Sequence, residues 1–90
     1  MLVLCSHSDA QTTGLKGKVM ASSDLGSIHV FNITAQELTI TKSTGEFLVP
    51  ARLNDTILIS SIQYIPQNIV ITEIILKLEF LSITLEDRVN

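Results

Sequence analysis

The chain has a single cysteine, Cys5, so neither an internal disulfide framework nor a cysteine-based zinc knuckle holds it together, and packing alone must do so. One thiol permits an oxidising compartment without requiring it. Basic residues are few as well: six Lys and Arg against nine Asp and Glu give a net charge of −3. The six are scattered, leaving no stripe to neutralise phosphates and no polybasic patch for an anionic membrane, so nucleic acid is not an expected partner. Aromatics are only 4% of the residues, which disfavours sugar recognition on aromatic platforms. The four glycines, Gly14, Gly17, Gly26 and Gly45, stand singly and make no phosphate-cradling loop. No apolar run approaches the ~18 residues of a membrane span.

What is present is aliphatic. Hydrophobic residues form 46% of the 90, and over Ile28–Leu85 they are mostly the β-branched and aliphatic types that suit a pleated surface. A chain this short builds one domain with an economical core. Residues 1–14 differ from the rest: Met1–Cys5 is apolar, Ser6–Ala10 is small and polar, and Ser8-Asp9-Ala10 places small residues where a signal peptidase prefers them. Two readings stay open, the tail of a secretory signal cut just before Gln11, or a frayed N-terminus; a truncated reading frame gives the same picture. Leu4 occupies the place where a bacterial lipobox has a small residue, which argues against lipidation at Cys5.

From Leu15 the pattern has period two. Leu15, Gly17, Val19 and Ala21 alternate with Lys16, Lys18 and Met20 in a first strand with one polar face, and Ser22–Gly26 supplies a turn. Ile28, Val30 and Asn32 against His29, Phe31 and Ile33 predict a second strand, apolar on both faces and therefore central. Leu38–Lys42 is a third, with Leu38 and Ile40 expected inward and Thr39 and Thr41 outward. Ser43-Thr44-Gly45 reads as a hairpin turn returning through Glu46–Val49, with Phe47 and Val49 inward and Pro50 ending the pairing. Asn54-Asp55 is a second turn, and Thr56–Gln63 the longest clean strand. Pro66-Gln67-Asn68 is expected to break the chain before Ile69–Thr72, and Leu81, Ile83 and Leu85 mark a last strand. Between them Thr72 is a plausible N-cap, and the alternation slips phase between Phe80 and Leu81, which favours a short helical turn or a loop. Short strands at this spacing predict an all-β, seven-stranded sandwich.

Catalytic patterns do not emerge. His7 and His29 are the only histidines, neither has a Glu three residues on, and a catalytic zinc needs three protein ligands. Ser6-His7-Ser8-Asp9 has the residue types of a triad, but adjacent residues in a chain end cannot hold its geometry. The carboxylates Asp24, Glu37, Glu46, Asp55, Glu73, Glu79, Glu86 and Asp87 fall mostly at turns or outward strand positions, with a structural role available to Asp55 in its turn. Tyr64 is either displayed beside a turn or, the stronger expectation, caps the core beside Pro66. Two Asn-x-Thr sequons occur, at Asn32 and Asn54, and would carry a glycan only in a compartment with that modification machinery. Catalytic, cofactor-binding and metal-binding residues are therefore all expected to be none.

Several motifs stand in order along the chain: Gly17-Lys18-Val19, Val30, Thr39-Ile40-Thr41, Gly45-x-Phe47-x-Val49, Asp55-Thr56-Ile57-Leu58-Ile59-Ser60-Ser61-Ile62 with Tyr64, and Ser82-Ile83-Thr84-Leu85-Glu86. In order and spacing, over residues 15–90, they resemble the carboxypeptidase-regulatory-like domain. The chain departs from that pattern at Lys42, where the family commonly has Asp, and at Gln63, where it has Gly; both fall at turns and bear on local geometry. The resemblance implies a transthyretin-like sandwich in the bacterial envelope, periplasmic or associated with the outer membrane. Such a module stands alone or forms the N-terminal extension of a TonB-dependent outer-membrane receptor, and ending at Val89-Asn90 fits either a fragment cut before the receptor's plug or a free-standing module. The expected function is non-catalytic: a structural or interaction module whose partners are another protein or other domains of the receptor. The alternatives are an accessory domain of a zinc carboxypeptidase and a small carbohydrate- or ligand-binding sandwich. The oligomeric state is left open.

Overall fold

The computed structural model describes residues 13–21 and 25–88. Cys5, His7, Ser6–Asp9, the signal-like segment and Asp24 lie outside the described residues. The period-two run that begins the described chain forms β1 (Thr13–Met20), with Leu15, Gly17 and Val19 buried and Lys16, Lys18 and Met20 exposed. It is followed by β2 (His29–Asn32), β3 (Glu37–Ile40), β4 (Glu46–Ala51), β5 (Thr56–Ser61), β6 (Tyr64–Val70), a short helix α1 (Glu73–Leu78) and β7 (Phe80–Thr84).

The strands make two sheets. One has the order β4-β1-β7, with β1 antiparallel to β4 and parallel to β7; the other is antiparallel throughout, in the order β3-β2-β5-β6. Leu15, Val19, Phe47, Val49, Leu81 and Ile83 from the first sheet, Val30, Ile57, Ile59 and Tyr64 from the second, and Ile28 just before β2 share one hydrophobic core. The fold is thus an all-β sandwich, each fully buried aliphatic contributing about 1.5–3 kcal/mol relative to exposure.

The expected phase of β3 is reversed. Its register sets Leu38 opposite Phe31 and Ile40 opposite His29, and cross-strand partners share a face, so Leu38 and Ile40 point outward. Thr41 is buried instead: its hydroxyl donates to the Leu25 carbonyl at 2.6 Å and accepts from the Ile28 N–H at 3.0 Å. Those bonds remove the penalty for burying a hydroxyl, and a one-residue phase difference turns every side chain over.

The turn at Ser43-Thr44-Gly45 forms, with the Gly45 N–H donating to the Lys42 carbonyl at 2.8 Å, but it joins strands of different sheets and so is a corner, not a hairpin. Turn chemistry is common to both. Gly45 sits at φ 89°, and its carbonyl accepts from the Val19 N–H at 2.8 Å, which seats the corner on β1.

Neither proline behaves as a break. β4 runs through Pro50 to Ala51 because Pro50 lies on an edge strand; its carbonyl turns away from β1 to accept from Asn32, and its donorless nitrogen faces the same open side. Pro66 likewise sits within β6, an edge strand that begins at Tyr64. β5 therefore ends at Ser61, two residues short of the expected end, and Ile62-Gln63 form its turn into β6; β1, not β5, is the longest strand.

The helical turn expected after β6 is α1. Thr72 caps it, its hydroxyl accepting from the Ile75 N–H at 3.3 Å, and Glu79 ends it in the left-handed region at φ 57°. That reversal produces the phase slip between Phe80 and Leu81.

Gly17 lies directly across from Phe47, whose ring covers it. A Cβ there would overlap the ring and lie 2.7 Å from the Leu81 carbonyl oxygen. Gly17→Ala is expected to lower stability by about 1–3 kcal/mol through overpacking, measured as a shifted urea midpoint with an unchanged slope.

Candidate interaction surfaces

The most densely bonded polar group joins four segments at one end of the sandwich. Asn32 follows Ile28 and Val30 in the inward phase of β2 and is fully buried. Its amide nitrogen donates to Asp55 Oδ2 at 2.8 Å and to the Pro50 carbonyl at 2.9 Å, and its Oδ1 accepts from the Ala35 N–H at 3.0 Å. Asp55 Oδ2 also accepts from the Arg52 N–H at 2.9 Å, while the Asp55 carbonyl accepts from the Ile71 N–H at 2.8 Å. The turns after β2 and β4 and the end of β6 are thereby fixed to one another. Asp55 is only 5% exposed, and its carboxylate faces an amide rather than a second acid, which makes it a structural acceptor. The sequon at Asn32 is closed to modification, since its nitrogen is buried and both its amide hydrogens are engaged.

The remaining candidates stay apart. His29 is exposed on β2, a central strand rather than a sheet edge, beside a depression of about 500 Å³ that Ser60, Ser61, Gln63 and Arg88 also line. Arg88 is turned to the backbone there, donating to the carbonyls of Ile62 and Tyr64, each at 3.2 Å. Among the described residues no three His, Cys, Asp or Glu side chains come close enough to hold a metal ion. Glu37, Glu46, Glu73, Glu79, Glu86 and Asp87 are all exposed, and Tyr64 is buried rather than displayed.

The outer face of the four-stranded sheet is unusual in a different way. Its registers align Leu38, Phe31, Leu58 and Asn68 in one row across all four strands, and Ile40, His29 and Ser60 in the next. Leu38 and Ile40 are 58% and 51% exposed, Val70 is 52% exposed, and Phe31 and Leu58 are half-buried. The outward positions of this sheet carry no Asp, Glu, Lys or Arg. On the opposite sheet Lys16 stands between Leu48 and Phe80, and Lys18 is opposite Glu46. One outer face therefore carries Lys16, Lys18 and Glu46 beside exposed Leu48 and Phe80, and the other carries no Asp, Glu, Lys or Arg. The sequence signal for the apolar face was β2, with large side chains in both phases; assigning Leu38 and Ile40 inward concealed its extent.

No protein-family model matches the chain, and no curated protein matches it.

The Asn32–Asp55 pair is open to a double-mutant cycle. Asp55→Ala leaves the Asn32 amide and the Arg52 N–H without their acceptor and is expected to cost about 2–3 kcal/mol. Asn32→Ala should cost a similar amount, and a coupling of about 1–2 kcal/mol by urea denaturation would establish the clasp as one unit. Additive losses would show that the two side chains act independently.

Proposed function

We propose that the chain is a non-catalytic structural and interaction module of the carboxypeptidase-regulatory-like type. In this proposal it is a seven-stranded, transthyretin-like sandwich of the bacterial envelope that works beside a TonB-dependent outer-membrane receptor. The observation that carries the interaction role is the uncharged outer face of the four-stranded sheet, where the Leu38–Phe31–Leu58 row lies open across adjacent strands. An antiparallel sheet facing water ordinarily alternates apolar-in with polar-out, whereas a contiguous apolar surface marks a contact site. The envelope assignment is supported by the ordered motifs from Gly17-Lys18-Val19 to Ser82-Ile83-Thr84-Leu85-Glu86.

Mass spectrometry of the native protein from separated periplasm, outer membrane and cytosol tests the location. The expected result is recovery from the envelope, either with a mature start at Gln11 or as part of a larger receptor chain. An intact Met1 in the cytosolic fraction would remove the envelope role and leave the sandwich and its apolar face.

A further inference from the structure

We propose that the open edge at β3 is a self-association site, where two copies of the chain pair their β3 strands antiparallel about a two-fold axis through Thr39. The backbone directions lead to this arrangement. The Thr41 N–H donates to the Ile28 carbonyl at 3.0 Å, so Thr41 and Ile28 are a hydrogen-bonded pair. Antiparallel alternation then turns the backbone of Thr39 and Glu37 toward β2 and the N–H and C=O groups of Leu38 and Ile40 toward the open edge. Two copies meeting there set Leu38 of one against Ile40 of the other, and each such pair exchanges both backbone bonds.

The side chains agree with that register. Leu38 and Ile40, both more than half exposed, become aliphatic cross-strand neighbours and extend the apolar row into a second molecule. The same register sets Glu37 against Thr41 and Gln36 against Lys42, so no like charges meet and the edge is neutral against its own copy. The charges that flank the edge, Glu37 at one end and Lys42, Glu46 and Lys16 at the other, are of mixed sign and offer no uniform field to an acidic or a basic strand. The pairing is isologous, which closes it at two chains.

The other edges differ: β4 and β6 are partly obstructed, while at β7 the described residues show only the Thr84 carbonyl taken, accepting from Gln67 Nε2 at 2.8 Å, and the edge presents Phe80 and Ser82 rather than an aliphatic pair. At β4 the Pro50 nitrogen has no hydrogen, its carbonyl is held by Asn32, and the Glu46 carbonyl accepts from the Lys42 N–H at 2.9 Å. Beyond β7 the chain crosses to β6, the Ile65 N–H donating to the Glu86 carbonyl and the Arg88 N–H to the Gln63 carbonyl. The rest of β6 presents Asn68 and Val70 next to Pro66, a less apolar edge that serves as the control.

An edge of four residues buries far less than the ~1,200 Å² lower bound of stable interfaces, so the pairing is weak. Sedimentation equilibrium of the purified full chain from about 10 μM to 2 mM spans such affinities. The average mass should rise from 9.9 kDa toward twice that value. Leu38→Lys and Ile40→Lys should each weaken association at least about ten-fold and keep the wild-type thermal midpoint, while Val70→Lys leaves association unchanged. The register is read by trapping: with Cys5→Ser, Thr39→Cys should oxidise to a covalent dimer faster than Thr44→Cys, because a non-hydrogen-bonded pair holds its Cα atoms ~4.5 Å apart, within disulfide reach. A monomer at every concentration, Val70→Lys acting where Leu38→Lys does not, or equal trapping at the two cysteines would each overturn the proposal. The assay uses purified protein in buffer, so its outcome is independent of where the chain resides in the cell.

Discussion

The buried Asn32 amide is the constraint on which one end of the sandwich depends. A carboxamide taken out of water must find partners for two donors and an acceptor, and here Asp55, Pro50 and Ala35 supply them. Each partner belongs to a different segment, so meeting the amide's needs fixes the loop after β2 against the ends of β4 and the start of β5. Asp55 extends the same bonding to Arg52 and Ile71. An apolar side chain at position 32 would fill the space but would specify none of these placements. The pair gives the fold uniqueness more than bulk stability.

A second constraint acts where the chain changes sheets. β1 is paired with β4 on one side and β7 on the other, and the corner between β3 and β4 must bring Gly45 close enough for its carbonyl to take the Val19 N–H. Only a residue without a Cβ reaches that position at positive φ. Gly17 performs the same service for packing, since its missing side chain is the space that the Phe47 ring fills. The two glycines thus both act at the start of β4, one aiming it and one sealing it against β1.

Much of this was legible in the residues. Strict alternation located β1, β2 and β7, the N-cap Thr72 and the phase slip at Phe80 located α1, and Asp55 was placed in a turn with work to do. Three features were not legible because their sequence signals are degenerate. Thr-rich alternation in β3 permits either phase until hydrogen bonds to Leu25 and Ile28 select one. Ser43-Thr44-Gly45 suits a hairpin and a sheet corner equally. Proline excludes a central position in a sheet but not an edge, and whether β4 and β6 are edges is decided by pairings remote in sequence. The apolar face escaped for a related reason, since burial and exposure of Leu38 and Ile40 differ only by the phase of β3.

Edge protection and surface polarity converge on the same part of the molecule. Proline, a captured carbonyl and a crossing C-terminal segment obstruct β4 and part of β6, and the outer face of the three-stranded sheet carries lysines. Among the described residues β3 has none of these devices, and the sheet it borders has an outer face free of Asp, Glu, Lys and Arg at its outward positions. Soluble sandwiches ordinarily blunt such edges, because exposed strand groups beside apolar side chains invite other chains. Where a sequence satisfies its local rules around one region and breaks them within it, the broken region is the natural candidate for function or strain. On the interaction role proposed above, the β2–β3 corner of the four-stranded sheet is the contact surface, and the Asn32–Asp55 clasp ties down the end of β2 that borders it.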